Sequence, residues 1–177
     1  MALIRKAAPA DAVGIAHVHV TAWKETYRGL MPDEVLDALS VEQRTERWQR
    51  TLANPNDSYH LVLVAEEADQ IIGFVNYGRE LENDMIYQGE VYAIYVLKQF
   101  QGRGTGRALM KSAALGLREM GIRSMLVWVL ADNPYRKFYE HLGGVYVREK
   151  MIQIGRASLL ECAYGWADTR VLIGDEG

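Results

Sequence analysis

Gln101-Gly102-Arg103-Gly104-Thr105-Gly106 is the stretch on which the reading of this chain turns. Before it stands Glu90-Val91-Tyr92-Ala93-Ile94-Tyr95-Val96-Leu97, a nearly continuous apolar run that suits a strand covered on both faces. After it, Met110, Ala113, Leu117 and Met120 recur at helical spacing and predict a helix over about 105–120, ended by Gly121. Glycines between a strand and a helix let the backbone turn tightly and approach a ligand without Cβ interference. The first turn of the helix leaves N–H groups unpaired and carries the positive end of the helix dipole. Together these features make a phosphate cradle that needs no metal, with Arg103 and Arg107 as added charge at its rim.

Spacing separates the phosphate motifs that compete for such a loop. The P-loop pattern requires Gly-Lys-Ser/Thr, and no lysine stands in that place. The dinucleotide fingerprint G-x-G-x-x-G fails as well, because its third glycine falls on Arg107 or Leu109. What remains is Q-x-x-G-x-G. A second block follows one strand later, beyond Ser124-Met125-Leu126-Val127-Trp128-Val129-Leu130: it runs Asn133-Pro134-Tyr135-Arg136-Lys137-Phe138-Tyr139-Glu140-His141-Leu142-Gly143-Gly144. Asn133-Pro134 opens a helix there, and Gly143-Gly144 closes it.

Working outward, residues 2–7 read as a short first strand. Pro9 and Asp11 mark a helix start with Asp11 as its N-cap, and Ile15, Val18, Ala22 and Trp23 follow at helical spacing. A short helix over about 32–39 comes next. Ser40 with Gln43 reads as a capping box for a third helix that ends at Asn54-Pro55. Runs 59–65 and 70–77 form a hairpin, and two more strands, about 145–154 and 157–166, close the chain. Helices first, then a strand meander, then strand–helix–strand–helix and a hairpin define a mixed α/β (α+β) architecture on one sheet. At 177 residues the chain fits a single domain, residues 1–177, without repeats or linkers.

Composition narrows the class. Hydrophobic residues make up 49% and charged residues 24%, and the net charge is −3, so no basic face marks a nucleic-acid partner. No window approaches a membrane span, and the first residues lack a secretory apolar stretch. The single cysteine, Cys162, excludes an internal disulfide and fits a reducing cytoplasm.

With both motifs in order, the sequence resembles the GNAT superfamily of N-acetyltransferases over about residues 90–147. IYVLKQFQGRGTGRALM is similar to that family's acyl-CoA pyrophosphate segment, and N-x-x-x-x-F-Y-x-x-L-G to its segment beside the thiol arm. The resemblance implies a GNAT-like fold: a single mixed, mostly antiparallel sheet of about seven strands, helices on both faces and a splayed central strand pair. It implies acetyl-CoA as acetyl donor and a primary amine, on a small molecule or a peptide, as acceptor. Transfer would be direct, in a ternary complex. Gln101, Gly102, Arg103, Gly104, Thr105, Gly106 and Arg107 would hold the pyrophosphate. Ile94, Tyr95 and Val96 would hold the pantetheine like an added strand beside a bulge, with the Val96 N–H polarising the thioester carbonyl. Asn133 and Phe138 would flank the arm. Tyr139 would be the acid that protonates the departing thiolate, and Glu90 the base for the amine. A homodimer is common in the family, and a non-catalytic acyl-CoA sensor or scaffold is the alternative.

Members that acetylate ribosomal-protein N-termini carry a glutamate five residues before this asparagine, where Trp128 stands here. Glu25, Tyr27 and the run Glu80, Glu82, Asp84 are candidates for the acceptor pocket. His17, His19, His60 and His141 read as structural or solvated, and Cys162 as a buried structural thiol.

Overall fold

The computed structural model describes residues 1–54 and 56–174. Strand β1 (Leu3–Lys6) leads through a 3-10 turn, Pro9–Asp11, into helix α1 (Ala12–Tyr27), followed by α2 (Asp33–Asp37) and α3 (Val41–Leu52). Asp11 holds the N-cap position expected, but its side chain makes no capping bond to α1. It sits in the right-handed helical region, and its carboxylate accepts the Ala8 N–H at 2.7 Å and two Arg5 guanidinium bonds at 2.8 and 2.9 Å. The charge on β1 has captured it for the turn before the helix. Ser40 does cap α3, its Oγ accepting the Gln43 N–H at 3.3 Å. That helix ends at Leu52, and the expected stop at Pro55 lies outside the described residues.

Strands β2 (Leu61–Glu67), β3 (Gln70–Arg79) and β4 (Gly89–Val96) form a meander. Then come α4 (Thr105–Glu119), β5 (Met125–Leu130), α5 (Arg136–His141), the hairpin β6 (Val145–Ile154) and β7 (Ala157–Trp166), and α6 (Arg170–Ile173). The seven strands make one sheet in the order β1-β2-β3-β4-β5-β7-β6, antiparallel except for β4 beside β5. The hairpin bounds match the sequence expectation.

Both faces of the sheet are covered. Leu109, Met110, Ala113 and Leu117 of α4 bury against Val75, Val91, Met125 and Val127. On the other face, Ile15 and Val18 of α1 with Trp48 and Leu52 of α3 bury against Val62, Val64 and Phe74. Each such large side chain withdrawn from water contributes about 1.5–3 kcal/mol before chain entropy is set against it. Two-sided covering explains why the β4 and β5 sequences are apolar almost throughout rather than alternating.

The site is prepared by β4. Tyr77 pairs with Val91 and Asn76 with Ala93, so Tyr92 is an extra residue, a β-bulge. The bulge shifts the alternation of side chains. Val91 lies on the α4 face, and beyond the bulge Ile94 and Val96 lie there, while Ala93 and Tyr95 turn toward α1 and α3. The parallel ladder between β4 and β5 stops at Val91 and Val127, although β4 continues to Val96 and β5 to Leu130. From that point the two central strands part. Among the described residues, no helix is long and apolar enough to cross a membrane.

Candidate active site

The gap between the parted strands opens into a cavity of about 320 Å³. Its walls include Ile94, Tyr95 and Val96 from β4, Trp128 from β5, and Asn133, Phe138 and Tyr139 from the segment around α5. Gln101, Gly102 and Gly106 line its outer end. The two sequence blocks, separated by a strand and a helix along the chain, therefore face one space.

The glycine turn has a backbone reason for its composition. Gly102 and Gly104 hold φ of +74° and +84°, the left-handed region that a side chain disfavours by about 1–2 kcal/mol. Gly106 has a different one: a Cβ there would meet the Phe138 ring at 3.1 Å. That contact seats α5 against the first turn of α4. The Ala108 N–H bonds the Gly104 carbonyl at 3.0 Å, so the N–H groups of Thr105, Gly106 and Arg107 precede the first intrahelical bond. Arg103 is committed to the loop itself, donating to the Gln99 carbonyl at 3.2 Å, facing Glu67 at 3.6 Å and lying over the Phe100 ring. Arg107 is exposed.

Backbone polarity along β4 follows from one bond. The Leu97 N–H donates to the Ile72 carbonyl at 2.9 Å. In an antiparallel ladder the direction alternates, so Tyr95 also faces β3, and the peptide groups of Ile94 and Val96 face the gap. Gln101 Nε2 donates to the Val96 carbonyl at 2.9 Å and ties the turn to the strand end. This leaves the N–H of Val96 directed into the cavity.

Asn133 is clamped from both sides. Its Oδ1 accepts the Tyr135 N–H at 2.8 Å, and its Nδ2 donates to the Tyr27 hydroxyl at 3.1 Å. Tyr139 is buried between Phe138, edge-on at 5.2 Å, and Tyr164, stacked at 6.0 Å. The Gly144 N–H holds the Tyr139 carbonyl at 2.9 Å, and a Cβ on Gly144 would strike that carbonyl and Trp166. Burial pushes the Tyr139 phenol well above its usual range, and Tyr27 adds to the shift. Burial does the same to Tyr27 and Tyr95, so three protonated phenols converge on the cavity.

Glu90 stands behind the wall rather than on it. It pairs with Leu126 on β5, and Trp128, one pleat further along the same face, lines the cavity. Its carboxylate is buried, accepts the Leu81 N–H at 3.3 Å, and is pushed up to about 7, chiefly by burial. Tyr92, at the bulge, lies between Glu90 and the cavity in sequence and donates its hydroxyl to the Arg79 carbonyl.

Of the acceptor-pocket candidates, Tyr27 lines the cavity and the others do not. Glu25 opens on a separate surface cleft with His17 and Lys98. Glu80 organises its own loop, accepting the N–H groups of Glu82 and Asp84 at 2.9 and 2.7 Å. Glu82 pairs with Lys150, and Asp84 with Arg148 at 2.6 Å, strapping that loop to β6. Thr26, Tyr92, Trp128 and Tyr135 line the cavity without having been singled out as site residues. Tyr92 had no local signal, because a bulge depends on the register of the neighbouring strand. His19 is buried, with Nδ1 accepting the Trp48 Nε1–H at 3.3 Å, and Cys162 is buried. Among the described residues no cluster of His, Cys, Asp or Glu is placed to hold a metal ion.

A splayed parallel pair, a glycine turn at a helix N-terminus and a buried tyrosine on one cavity define an acyl-CoA-dependent acetyltransferase class of site. The family model described as an acetyltransferase (GNAT) domain matches residues 58–143. An uncharacterised N-acetyltransferase of Bacillus subtilis, YuaI, is 34% identical over 173 residues, covering 97% of this chain and 96% of the relative. This chain belongs to the GNAT superfamily of N-acetyltransferases, with acetyl-CoA as its acyl donor. Solved structures share its fold, two of them as follows. PaiA N-acetyltransferase from Thermoplasma acidophilum, in complex with coenzyme A, has a TM-score of 0.71 at 18% identity, covering 94% of this chain and 99% of that one. A ribosomal-protein-alanine N-acetyltransferase from Brucella melitensis has a TM-score of 0.71 at 25% identity, covering 93% and 98%.

Proposed function

We propose that this protein transfers an acetyl group from acetyl-CoA to a primary amine by direct transfer in a ternary complex. The observation that carries the reading is the single cavity that runs from the Gly102–Gly106 turn, between the parted strands, to Tyr139. The residues fit the donor. The N–H groups at the start of α4 suit a pyrophosphate, and the gap-facing peptide groups of Ile94 and Val96 suit the amide-bearing pantetheine arm. Gln101, Asn133 and Phe138 hold the walls of that channel in place. Acetyl-CoA supplies the activated thioester.

The chain's own groups do the rest. The Val96 N–H is aimed to polarise the thioester carbonyl. Tyr139 keeps its proton at neutral pH and delivers it from Oη to the departing thiolate. An amine arrives protonated, and Glu90, with its carboxyl near 7, takes that proton by way of water on the Tyr92–Trp128 side of the cavity. Cys162 lies buried on β7 and does not line the cavity, which supports direct transfer over an acyl-cysteine route. Trp128 stands where the ribosomal subclass carries a glutamate, which argues against that subclass.

A thermal-shift titration with acetyl-CoA, beside NAD and ATP, tests the donor site. Binding only to the native state adds about 2.7 kcal/mol at a hundredfold excess over Kd. A shift with acetyl-CoA alone, followed by amine-dependent thiol release, is the expected result. A shift without thiol release for any amine would leave a sensor in place of an enzyme, and no shift would remove the CoA cradle itself.

A further inference from the structure

The cavity passes through the sheet, and its two ends differ in chemistry. Val127 and Val129 belong to the core under α4, so Trp128 between them points to the opposite face, the one α1 covers. Ile94, Val96 and Phe138 pack on the α4 side. Ala93 and Tyr95 pack on the other side, where Tyr27 comes in from the end of α1. The glycine turn that suits the donor opens α4, at the first of these ends. The far end is therefore left for the acceptor, and its walls are Thr26, Tyr27, Tyr92, Tyr95 and Trp128.

This end offers rings and few free polar groups. None of the described residues that line the cavity carries a charged side chain. The phenol oxygens are already engaged. Tyr92 Oη donates to the Arg79 carbonyl, and Tyr27 Oη accepts the Asn133 Nδ2–H at 3.1 Å and meets the Tyr95 phenol. The Trp128 indole is held by cations, with Lys150 Nζ 4.0 Å and the Arg148 guanidinium carbon 5.4 Å from its ring centroid. Both reach it across the small Ala163, which pairs with Trp128 on one side and Arg148 on the other. Those cations are themselves paired with carboxylates: Lys150 with Glu82 and with Glu161 at 3.7 Å, Arg148 with Asp84 at 2.6 Å. Behind the same wall Glu90 is buried, a group that draws an ammonium and repels a carboxylate when ionised.

We propose that the acceptor is a primary amine with a flat aromatic body and no acidic group, an arylalkylamine in chemical class, its ring seated among Tyr27, Tyr92 and Trp128. The inference rests on the acetyl-transfer reading of this same cavity and deepens it. Aromatic rings pack edge-on or offset against one another, which gives an aromatic body more than its buried area alone. A wall already held in place loses little freedom when the ligand docks. The amine of the seated molecule is then turned toward the thioester. A carboxylate on the same molecule would leave water with no cation in the cavity wall to receive it, and would face Glu90.

The test is thiol release from acetyl-CoA with matched acceptors: phenethylamine, octylamine, phenylalanine and phenylalanine amide, with rates referred to the free-amine concentration. Phenethylamine is expected to exceed both octylamine and phenylalanine by about 10–100-fold in kcat/KM, and the amide, which lacks the carboxylate, to recover most of the phenylalanine loss. Trp128→Leu keeps an apolar wall and removes the ring. It should raise KM for phenethylamine about tenfold and narrow the advantage over octylamine, while an acetyl-CoA melting shift reports that the fold and the donor end persist. Tyr92→Leu should narrow the same advantage, and Tyr92→Phe, which keeps the ring, should narrow it less. Equal use of phenethylamine and octylamine, phenylalanine used as well as its amide, or an advantage unchanged in both leucine variants overturns the assignment. If acetyl-CoA raises the melting temperature yet no amine releases thiol, acetyl transfer itself fails and this inference falls with it.

Discussion

Tyr139 is sealed between Phe138 and Tyr164, and burial keeps its proton on far above neutral pH. Loss of that proton donor in Tyr139→Phe should lower kcat by about 10–100-fold, the lower part of the general-acid range because a thiolate already leaves readily. The variant's acetyl-CoA melting shift should stay near the wild-type value. An unchanged kcat would return Tyr139 to a packing role. Burial acts on Glu90 in the same direction but to the opposite use, since a base must first lose its proton. With its carboxyl pushed up to about 7, kcat/KM should rise with pH through about 7 and then level, and Glu90→Gln should abolish that limb. The stability sign is also set. From the ordinary 4.5 up to about 7 the folded state binds more protons than the unfolded state, so Glu90 costs stability increasingly as pH rises and fully above that window. Glu90→Gln should therefore melt higher than wild type at about pH 8, by about 1–2 kcal/mol, and show no gain at about pH 4. Melts at the two pH values decide it; a gain at acid pH would contradict the burial account.

At the scale of elements, β4 does two jobs along its length. Its first half is locked between β3 and β5, and its second half, past the Tyr92 bulge, has β3 on one side only. Amide hydrogen exchange should divide it accordingly. The Ile94 and Val96 N–H groups should exchange quickly in the free protein and slow by about tenfold or more when acetyl-CoA pairs with them, while Tyr95, bonded toward β3, stays protected throughout. Protection of Ile94 and Val96 that acetyl-CoA does not alter would remove the added-strand mode of binding. The glycine turn gives a second element-scale test. A Cβ at Gly104 meets open space, so Gly104→Ala isolates the left-handed backbone cost of about 1–2 kcal/mol and should weaken acetyl-CoA binding by turning the first N–H groups of α4 aside. This turn was legible because it is local: glycine spacing, an apolar strand before it and a periodic helix after it all lie between Glu90 and Met120. The bulge was not legible from the β4 residues alone, because it belongs to the register between two strands. Asp11 takes the N-cap position without capping by its side chain for a related reason. Arg5, on a different element, bids more strongly for that carboxylate than the helix N-terminus does.

Across the whole molecule, the cavity lies where the end of α1 meets the segment from β4 to α5. The N-terminal helices supply Thr26 and Tyr27, and the blocks recognisable in the sequence supply the remainder. That division explains what could be read in advance. The glycine turn and the Asn133 block are compact motifs, whereas the wall made by Thr26 and Tyr27 reaches the cavity only through the docking of α1 on the sheet. The acidic run Glu80, Glu82, Asp84 misled for the same reason: its charges pair with Lys150 and Arg148 on a strand some sixty residues away. One bond joins the two parts across the cavity, from Asn133 Nδ2 to the Tyr27 hydroxyl, 106 residues apart. Removing it in Tyr27→Phe leaves the ring contacts and deletes the acceptor of that bond. Asn133 keeps its Tyr135 bond, but its Nδ2 loses the Tyr27 acceptor that fixed it from the other side. Stability should fall by only about 1 kcal/mol, the net worth of one hydrogen bond. The larger effect belongs to positioning, because Asn133 flanks the channel: KM for acetyl-CoA should rise about 3–10-fold, with kcat falling less than in Tyr139→Phe. The pairing of a small melting change with a clear KM change is the diagnostic outcome. A loss confined to stability would make the Tyr27–Asn133 bond a brace for the fold alone, and a kcat loss equal to that of Tyr139→Phe would place Tyr27 in the proton transfer instead.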